Sequence, residues 1–396
     1  MSITAIIAEY NPFHNGHCYH IRQSKRSLGT TYTIAVLSGS FVQRAEPAVL
    51  SKRARTEQAL RCGVDAVIEL PACYALASAE GFAEGAVRCL RLLGAVDRLS
   101  FGSEAGELKP LRAAADALLH PDFGALLREE LAGGSLFPSA RMRAAMRLAP
   151  GLDPAVWQSP NNLLAVEYIK ALRVSGAQIE PYTVARRGAG HDAGAAAGDY
   201  QSATFCRELI QSGRDCSPYL PAPAAEILRR EMDEGRAPVS IGRMERAMLA
   251  SLRRLPPAAF TMYPDVTEGL ENRIADALRR ERSMQDVYGA IKSKRYTHAR
   301  IRRILLRAYL GLHARVDPPE YIRLLGLRKD AGELVRLLRA QCRVPLVVRP
   351  ARDAAALPDA EREKLRFETL LTDIWNCFTP VVQPAGEDYT KFPVII

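Results

Sequence analysis

The sequence of 396 residues lacks the features that direct a chain to a membrane, a structural metal or an oxidising compartment. None of its eight cysteines forms a CxxC pair, so the spacing of a structural zinc site is missing, and buried free thiols are expected. No stretch approaches the roughly 18 unbroken apolar residues of a membrane span. The N-terminus runs directly into a strand-like segment without the parts of a signal peptide. These absences predict a cytoplasmic protein with no membrane partner and no metal site of its own.

The charge balance is basic, with a formal net charge of +10 and a pI of about 9.3. Such a balance favours polyanionic partners, although an arginine-rich composition also produces it without any such partner. The position of the basic residues is therefore more informative than their number. The chain is long enough for two or three domains with a large buried core.

The first hundred residues alternate apolar runs with helical segments. Continuous apolar strands separated by helices are typical of a doubly wound parallel sheet covered on both faces. Ligands bind such sheets at the carboxyl ends of the strands, where the strand order reverses. We predict strands at residues 3–8, 31–37, 65–70 and 96–101, with helices at residues 17–28, 51–61 and 76–93.

Helical patterns dominate the rest of the chain. A further strand is expected at residues 177–184, followed by a loop of small residues, 186–199, whose composition suits a mobile lid over a ligand. Beyond residues 218–223 strand signals nearly vanish, and helical periods continue to about Leu338, with a short apolar stretch at 344–348. We predict an α/β domain of residues 1–220 and a mainly α-helical, basic domain of residues 221–396.

The turn behind the first strand contains two histidines in the order His14-Asn15-Gly16-His17. Imidazoles there would hold phosphate oxygens and neutralise charge as pyrophosphate leaves, while Gly16 leaves room for an adenine ring. A helix that starts at this point directs its free N–H groups and positive dipole end at the same phosphates. Two surface histidines in a turn are the alternative, but the position after a buried strand favours function. We predict that His14 and His17 are catalytic.

A second motif, Ser202, Thr204 and Arg207, has the form SxTxxR at a predicted helix start. Two hydroxyls and a guanidinium on one helical turn would make a second phosphate cradle. An ordinary capping motif with a solvated arginine has the same form, and its pairing with HxGH favours the cradle. A strand, HxGH and a late SxTxxR resemble the nucleotidyltransferase superfamily, which implies a HUP or Rossmann-like domain that attacks the α-phosphate of ATP.

Basic residues are concentrated at positions 292–303, interleaved with Tyr296 and His298. The helix that continues from this segment is expected to bury an isoleucine and leucine face and to expose an arginine face. Basic and aromatic residues together suit an RNA backbone with a stackable base nearby, whereas a solvated basic face is the alternative. The predicted RNA-binding residues are Lys294, Arg295, Tyr296, Arg300, Arg303 and Arg307.

Longer motifs stand in order along nearly the whole chain: AEYNPFHNGHCYHI, SKRARTEQAL, GVDAVIELP, FGSE, SPNNLLAVEYIKAL and SKRYTHARIRRIL. With these motifs the sequence resembles the bacterial tRNA(Met) cytidine acetate ligase family. The resemblance implies that ATP, with Mg²⁺, and acetate form acetyl-adenylate. It further implies that the acetyl group is transferred to N4 of the wobble cytidine in the anticodon loop of elongator tRNA(Met).

The resemblance also implies that residues 1–220 are the nucleotidyltransferase-like, ATP-binding catalytic domain and residues 221–396 the tRNA-binding domain, and it places the nucleotide site. One member of the pair Asn161 and Asn162, and one of the pair Arg186 and Arg187, would contact ATP, and we favour Asn162 and Arg187. Cys18 stands where a larger aliphatic residue is expected, and the loop after Arg187 looks one residue short. Together with the SxTxxR motif, the predicted ATP-binding residues are Ile7, Ala8, Glu9, Tyr10, Asn11, Pro12, Phe13, His14, Asn15, Gly16, His17, Cys18, Tyr19, His20, Gly102, Asn161, Asn162, Arg186, Arg187, Ser202, Thr204 and Arg207.

Two other functions stay open at this point. A small-molecule adenylyltransferase that builds a dinucleotide-type cofactor fits the N-terminal domain equally well, but it does not need the long basic C-terminal region. A non-catalytic RNA-binding protein with a relic nucleotide site is opposed by the intact His14, Gly16, His17 and Arg207. No residue stands out as a general base for acyl transfer.

Overall fold

The computed structural model describes residues 1–187, 198, 200–267, 269–293, 295–313 and 317–396. Its strands are β1 (Ile3–Ala8), β2 (Tyr32–Ser38), β3 (Phe41–Val42), β4 (Glu46–Pro47), β5 (Ala66–Leu70), β6 (Arg98–Ser103), β7 (Glu180–Ala185), β8 (Ile322–Leu327), β9 (Leu346–Val347) and β10 (Val394–Ile395). Its helices are α1 (Asn15–Leu28), α2 (Lys52–Arg61), α3 (Ala72–Ala75), α4 (Ala79–Leu93), α5 (Leu108–Leu119), α6 (Phe123–Ala132), α7 (Phe137–Leu148), α8 (Pro160–Val174), α9 (Ala203–Gln211), α10 (Ala222–Asp233), α11 (Ile241–Arg253), α12 (Leu270–Arg280), α13 (Met284–Ile291), α14 (His298–Leu310), α15 (Gly332–Gln341), α16 (Pro350–Asp353), α17 (Asp359–Asn376) and α18 (Glu387–Thr390).

The main sheet has the strand order β10-β8-β5-β2-β1-β6-β7, with β9 paired to β8. All pairings in this sheet are parallel except that of β5 with β8. From β1 the chain builds outward to β2 and β5 on one side and then to β6 and β7 on the other. The strand order therefore reverses beside β1, which confirms the predicted doubly wound sheet, while ligand binding at this edge stays a prediction.

Apolar residues of β1 and β2 alternate between the two faces of the sheet. Ile3 and Ala5 pack in a core beneath α4, α5 and α8, whereas Ile6 packs in a second core with α1, α2 and α10. A third core joins helices α11 to α14, and the indole of Trp375 on α17 belongs to it. None of the described helices is long and apolar enough to cross a membrane.

Strand β8 is an element that the sequence pattern did not predict, because residues up to Leu338 were expected to be helical. Its six residues, IRLLGL, include four aliphatic side chains interrupted by Arg323 and Gly326, a short pattern that fits a buried strand and a buried helix equally well. A Cβ atom at Gly326 would lie 2.7 Å from the carbonyl oxygen of Val394, so the glycine permits close packing at this edge. The C-terminal half thus contributes strands to the sheet, while the domain division after residue 220 stays a prediction.

Four buried charges join the C-terminal segment to the sheet. Lys52 Nζ lies 2.7 Å from Glu69 Oε1 and 2.8 Å from Asp388 Oδ2. Arg323 Nη1 lies 3.0 Å from Glu69 Oε2, and its Nη2 lies 2.9 Å from Asp388 Oδ1. Each charge is paired twice, which offsets the cost of removing it from water.

Candidate active site at the carboxyl edge of the sheet

The two histidines of HxGH hold each other in place at the start of α1. His14 is the N-cap residue, and its Nδ1 accepts a hydrogen bond from the Gly16 N–H at 3.1 Å. His17 Nδ1 in turn accepts the His14 N–H at 3.2 Å, and the two rings stack with centroids 3.7 Å apart. Because both Nδ1 atoms accept, a neutral ring carries its proton on Nε2, where it can be donated to a ligand.

The histidines near this turn are uncharged at neutral pH. Burial, together with the positive charges of Arg186 and Arg207, lowers the pKa of His14 to about 3. Burial and Arg186 also lower the pKa of His20 to about 4, and the pKa of His17 lies well below its ordinary value for the same first reason. A polyanionic ligand would oppose these effects and raise each pKa.

The aromatic residues of the turn form a floor below the histidines. Tyr10 has a φ of 46°, a left-handed conformation that is uncommon outside glycine. Its ring packs 4.7 Å from that of Phe13 and 4.9 Å from that of His17, between ring centroids. Tyr10, Phe13 and the neighbouring Asn11 are buried, and Asn11 Oδ1 accepts the Val49 N–H at 2.8 Å. Their side chains support the turn rather than line an open cleft.

The carboxyl ends of β6 and β7 form the second wall. A Cβ atom at Gly102 would lie 3.3 Å from Arg186 Cγ, so this glycine lets the arginine stem cross the strand end. Arg186 Nε lies 3.7 Å from Glu104 Oε1. The same carboxylate accepts the Asn161 side-chain amide at 2.5 Å and the Asn162 main-chain N–H at 3.1 Å. Both asparagines therefore contact the FGSE turn through Glu104 and belong to the same wall of the site.

Within the two residue pairs, the members occupy different places. Asn162 is buried, and its Oδ1 accepts the Ala105 N–H at 3.0 Å. Arg186 is the arginine whose charge acts on all three histidines, whereas the guanidinium of Arg187 lies 4.5 Å from the ring centroid of Tyr19, farther out. The geometry favours Arg186 over Arg187 as the nearer phosphate ligand, and the choice of contact in each pair stays a prediction.

His20 also lies on α1, but it faces the sheet. Its Nε2 is 2.9 Å from Ser100 Oγ on β6, and Ser24 Oγ is 2.7 Å from the same hydroxyl. This chain of three polar groups fixes α1 against β6. His20 is thereby placed to support the position of α1.

The SxTxxR motif reaches the same turn from the start of α9. Arg207 Nη1 donates to the main-chain oxygen of Asn11 at 2.8 Å, and its Nη2 donates to Thr204 Oγ1 at 3.2 Å. Ser202 Oγ caps the helix by accepting the Phe205 N–H. The structure therefore brings the two motifs together. Arg207 is buried, however, and donates to protein atoms, so these N–H donors do not serve the predicted phosphate cradle.

A short hairpin formed by β3 and β4 completes the site, and sequence reasoning missed it. The Gln43 N–H donates to Glu9 Oε1 at 2.7 Å, and Glu46 Oε2 lies 3.8 Å from Arg207 Nε. Burial raises the pKa of Glu9, opposed by the Gln43 N–H and by Arg44 and Arg207. The hairpin directly follows β2, so its position at the carboxyl end of a central strand was the available signal.

Two sets of predicted residues fall outside the part of the chain that the structure describes. They are residues 188–197 and 199 of the proposed lid, and Lys294 of the proposed RNA surface.

The predicted RNA-binding residues do not share one exposed face. Tyr296 is only 7% exposed, and its hydroxyl lies 3.0 Å from Thr267 Oγ1, so it is not available to stack on a base. The guanidinium carbons of Arg295 and Arg300 lie 5.7 Å and 5.1 Å from the Tyr296 ring centroid. This corrects the stacking role expected for Tyr296, which instead anchors two arginines.

Arg307 requires a second correction. It is 6% exposed and donates hydrogen bonds to the carbonyl oxygens of Leu312 and Cys73, at 3.2 Å and 3.0 Å. The helical face that carries it is covered by α3 and the residue that follows α3, which the helical period alone could not reveal. Arg307 is therefore a packing residue. Of the other arginines of the proposed surface, Arg295 is exposed, whereas Arg300 and Arg303 are half-buried.

Comparison with known proteins gives concordant results. A sequence model of the HIGH nucleotidyl transferase family matches residues 1–389. The tRNA(Met) cytidine acetate ligase of Acetivibrio thermocellus is 35% identical over 415 aligned positions, covering 100% of both chains. That of Thermoanaerobacter pseudethanolicus is 38% identical over 98% of both chains. The crystal structure of Thermotoga maritima TmcAL bound with alpha-thio ATP covers 100% of both chains with a TM-score of 0.92 and 34% identity.

Proposed function

The chain belongs to the tRNA(Met) cytidine acetate ligase family, and we propose that it activates acetate with ATP and acetylates the wobble cytidine of elongator tRNA(Met). One observation carries the proposal: two stacked, neutral histidines cap α1 at the reversal point of the sheet, with arginines on both sides. This arrangement of hydrogen-bond donors and positive charges suits the binding of a nucleoside triphosphate. We place the reaction in the cytoplasm, where both ATP and tRNA are found.

In the first step a carboxylate oxygen of acetate attacks the α-phosphorus of ATP, and pyrophosphate leaves. The Nε2–H groups of His14 and His17 would bind the phosphate oxygens, with the positive end of the α1 dipole directed at them. Arg186 adds a positive charge beside them. These groups act by positioning and by stabilising charge that develops on the leaving group.

Mg²⁺ would reduce the charge of the triphosphate when it is bound. Among the described residues, no group of three or more His, Cys, Asp or Glu side chains is gathered to hold an ion. Mg²⁺ is commonly bound through phosphates and waters rather than by a dedicated protein cage. We therefore propose that it arrives with ATP.

In the second step the exocyclic amine of cytidine attacks the acetyl carbonyl carbon, and AMP leaves. The amine is a weak nucleophile, so its placement beside the mixed anhydride supplies much of the acceleration. The anticodon loop is single-stranded, which allows its base to turn into a pocket. Arg295, Arg300 and Arg303 would hold the RNA backbone, and the last two lie beside Asp265 on the same surface.

The test uses purified full-length protein, labelled acetate, ATP and transcribed elongator tRNA(Met). Label should enter the tRNA only when ATP is present, and a transcript with uridine at the wobble position should stay unlabelled. A stable adenylylated small molecule without labelled tRNA would instead indicate a cofactor-forming adenylyltransferase. Retained tRNA binding without ATP consumption would indicate a non-catalytic RNA-binding protein.

A further inference from the structure

The turn of the β3–β4 hairpin is fixed over the end of β1. The Gln43 N–H is bonded to Glu9 Oε1 at 2.7 Å, and the Ala48 N–H is bonded to the Ser40 carbonyl oxygen at 2.9 Å. Ala45 closes the turn with a φ of 58° and donates its N–H to the Val42 oxygen at 2.9 Å. The residue at the tip, Arg44, is therefore held by its main chain although its side chain is exposed.

Arg44 and Arg207 meet at one hydroxyl but differ in what their remaining donors do. Both guanidinium groups donate to Thr204 Oγ1, Arg44 from 3.0 Å and Arg207 from 3.2 Å. Arg207 is buried, and another of its N–H groups donates to the Asn11 carbonyl oxygen. Among the described residues, the Arg44 side chain makes a single hydrogen bond, the one to Thr204. Most of its five N–H donors are left facing solvent.

The position of Arg44 across the sheet indicates which part of a nucleotide it would meet. Gly102 and Arg186 lie on the β6 and β7 side of β1, whereas the hairpin follows β2 on the opposite side. A nucleotide whose adenosine lay near Gly102 would extend across His14 and His17 toward Thr204 at the start of α9. Its outer phosphates would then end between the first turn of α9 and the tip of the hairpin.

We propose that Arg44 binds the β- and γ-phosphates of ATP and so holds the pyrophosphate that leaves. This assignment rests on the proposed function, because it takes the triphosphate to lie across the two histidines. A planar guanidinium with free donors is suited to bidentate binding of phosphate. Arg207 then acts as a positioning residue, because it orients Thr204 and the HxGH turn.

The experiment measures binding of ATP and of AMP to the full-length protein by calorimetry, for wild type, Arg44→Ala and Arg44→Lys. Loss of contacts to the outer phosphates should weaken ATP binding about tenfold or more and leave AMP binding unchanged. The ATP affinity of Arg44→Lys should lie between those of wild type and Arg44→Ala, because lysine keeps the charge but loses the bidentate geometry. Arg26→Ala is the matched control, since it removes an exposed arginine from the far end of α1 and should bind both nucleotides normally.

A second readout is the exchange of labelled pyrophosphate into ATP in the presence of acetate. Arg44→Ala should raise the KM for pyrophosphate and leave the tRNA affinity unchanged. Equal weakening of ATP and AMP, or weaker tRNA binding with normal ATP binding, would overturn the assignment, and the second result would identify Arg44 as an RNA contact. Nucleotide binding needs neither acetate nor tRNA, so ATP-selective weakening without acetylation of tRNA by wild type would refute only the proposed function.

Discussion

Arg207 and Asn11 are 196 residues apart in the chain, yet Arg207 Nη1 donates to the Asn11 carbonyl oxygen across 2.8 Å. Asn11 lies in the turn that ends at the HxGH histidines, and Arg207 is the last residue of SxTxxR. Arg207 of SxTxxR thereby holds the turn that leads into HxGH. The two motifs form a single site because of this bond and its neighbours at Thr204 and Glu46.

Replacement of Arg207 by glutamine should reduce both stability and ATP binding. The change removes a charged hydrogen bond and leaves a buried carbonyl oxygen without a partner, so the free energy of unfolding should fall by about 2 kcal/mol. Urea unfolding measures the loss, and Ser202→Ala, which removes only a helix cap, should cost about 1 kcal/mol. Unchanged stability with lost ATP affinity would mean that Arg207 acts on phosphate directly.

Stability should decrease as the pH falls below about 6.5, the ordinary pKa of histidine. His14 has a folded-state pKa of about 3 and His20 of about 4, so between these values and 6.5 the unfolded chain binds more protons. In this range the free energy of unfolding falls by roughly 1 kcal/mol per histidine for each unit by which the pH is lowered. Urea titrations at several pH values measure the slope.

His20→Gln should make this slope shallower, because it removes one of the histidines with a depressed folded-state pKa. ATP binding near pH 6 should also take up protons, because the triphosphate raises the pKa of His14 and His17. Calorimetry in buffers of different ionisation enthalpy detects that uptake. Proton release on binding would contradict the neutral state assigned to the pair.

Ala45→Gly should stabilise the protein. Ala45 has a φ of 58°, a left-handed conformation that costs a residue with a Cβ atom about 1 kcal/mol. Glycine removes this strain, and the gain, reduced by the entropy that glycine loses on folding, should be up to about 1 kcal/mol. Thermal unfolding measures it. A lower melting temperature would show that the Ala45 methyl group, which packs in the helical core, outweighs the strain.

Asp388→Asn should destabilise the attachment of the C-terminal segment. Burial alone would raise the pKa of Asp388, but Lys52 and Arg323 hold that pKa well below its ordinary value. Because the folded-state pKa is depressed, this stabilisation is present at neutral pH and is lost as acid protonates the group. Removal of the charge leaves Lys52 and Arg323 with one shared carboxylate, Glu69, and should cost about 3 kcal/mol in urea unfolding. A loss confined to a fraction of 1 kcal/mol would mean that water replaces the carboxylate.

Arg303 and Arg307 lie one helical turn apart and should respond differently to replacement. Arg303→Glu should weaken tRNA binding and flatten its salt dependence without altering ATP affinity, because a phosphate contact is replaced by repulsion. Arg307→Ala should instead lower the free energy of unfolding by about 2 to 3 kcal/mol, because several buried carbonyl oxygens lose their donor. Filter binding at increasing salt and urea unfolding separate the two effects. Equal effects of both variants on tRNA binding, at normal stability, would contradict the burial of Arg307.

Local chemistry accounts for what the sequence alone determined. The apolar run of β1, the turn after it and the start of α1 at HxGH depend on residues within one short stretch, where hydrophobic patterning and helix capping act. The same reasoning predicted the parallel sheet, which the strand pairings confirm. It failed at β8, because a short segment with four aliphatic residues fits a strand and a helix equally well and the pairing partner is Ala66–Leu70, far away in the chain.

Only the tertiary structure decided which polar residues face a ligand and which face the protein. Arg207, Arg307 and Tyr296 have the sequence character of exposed binding residues, but distant segments cover them and bind their polar atoms. Arg44 carries no motif, yet the fold brings it to Thr204 across 160 residues of chain. Burial is a property of what packs against a side chain, and that depends on long-range contacts which no local pattern contains.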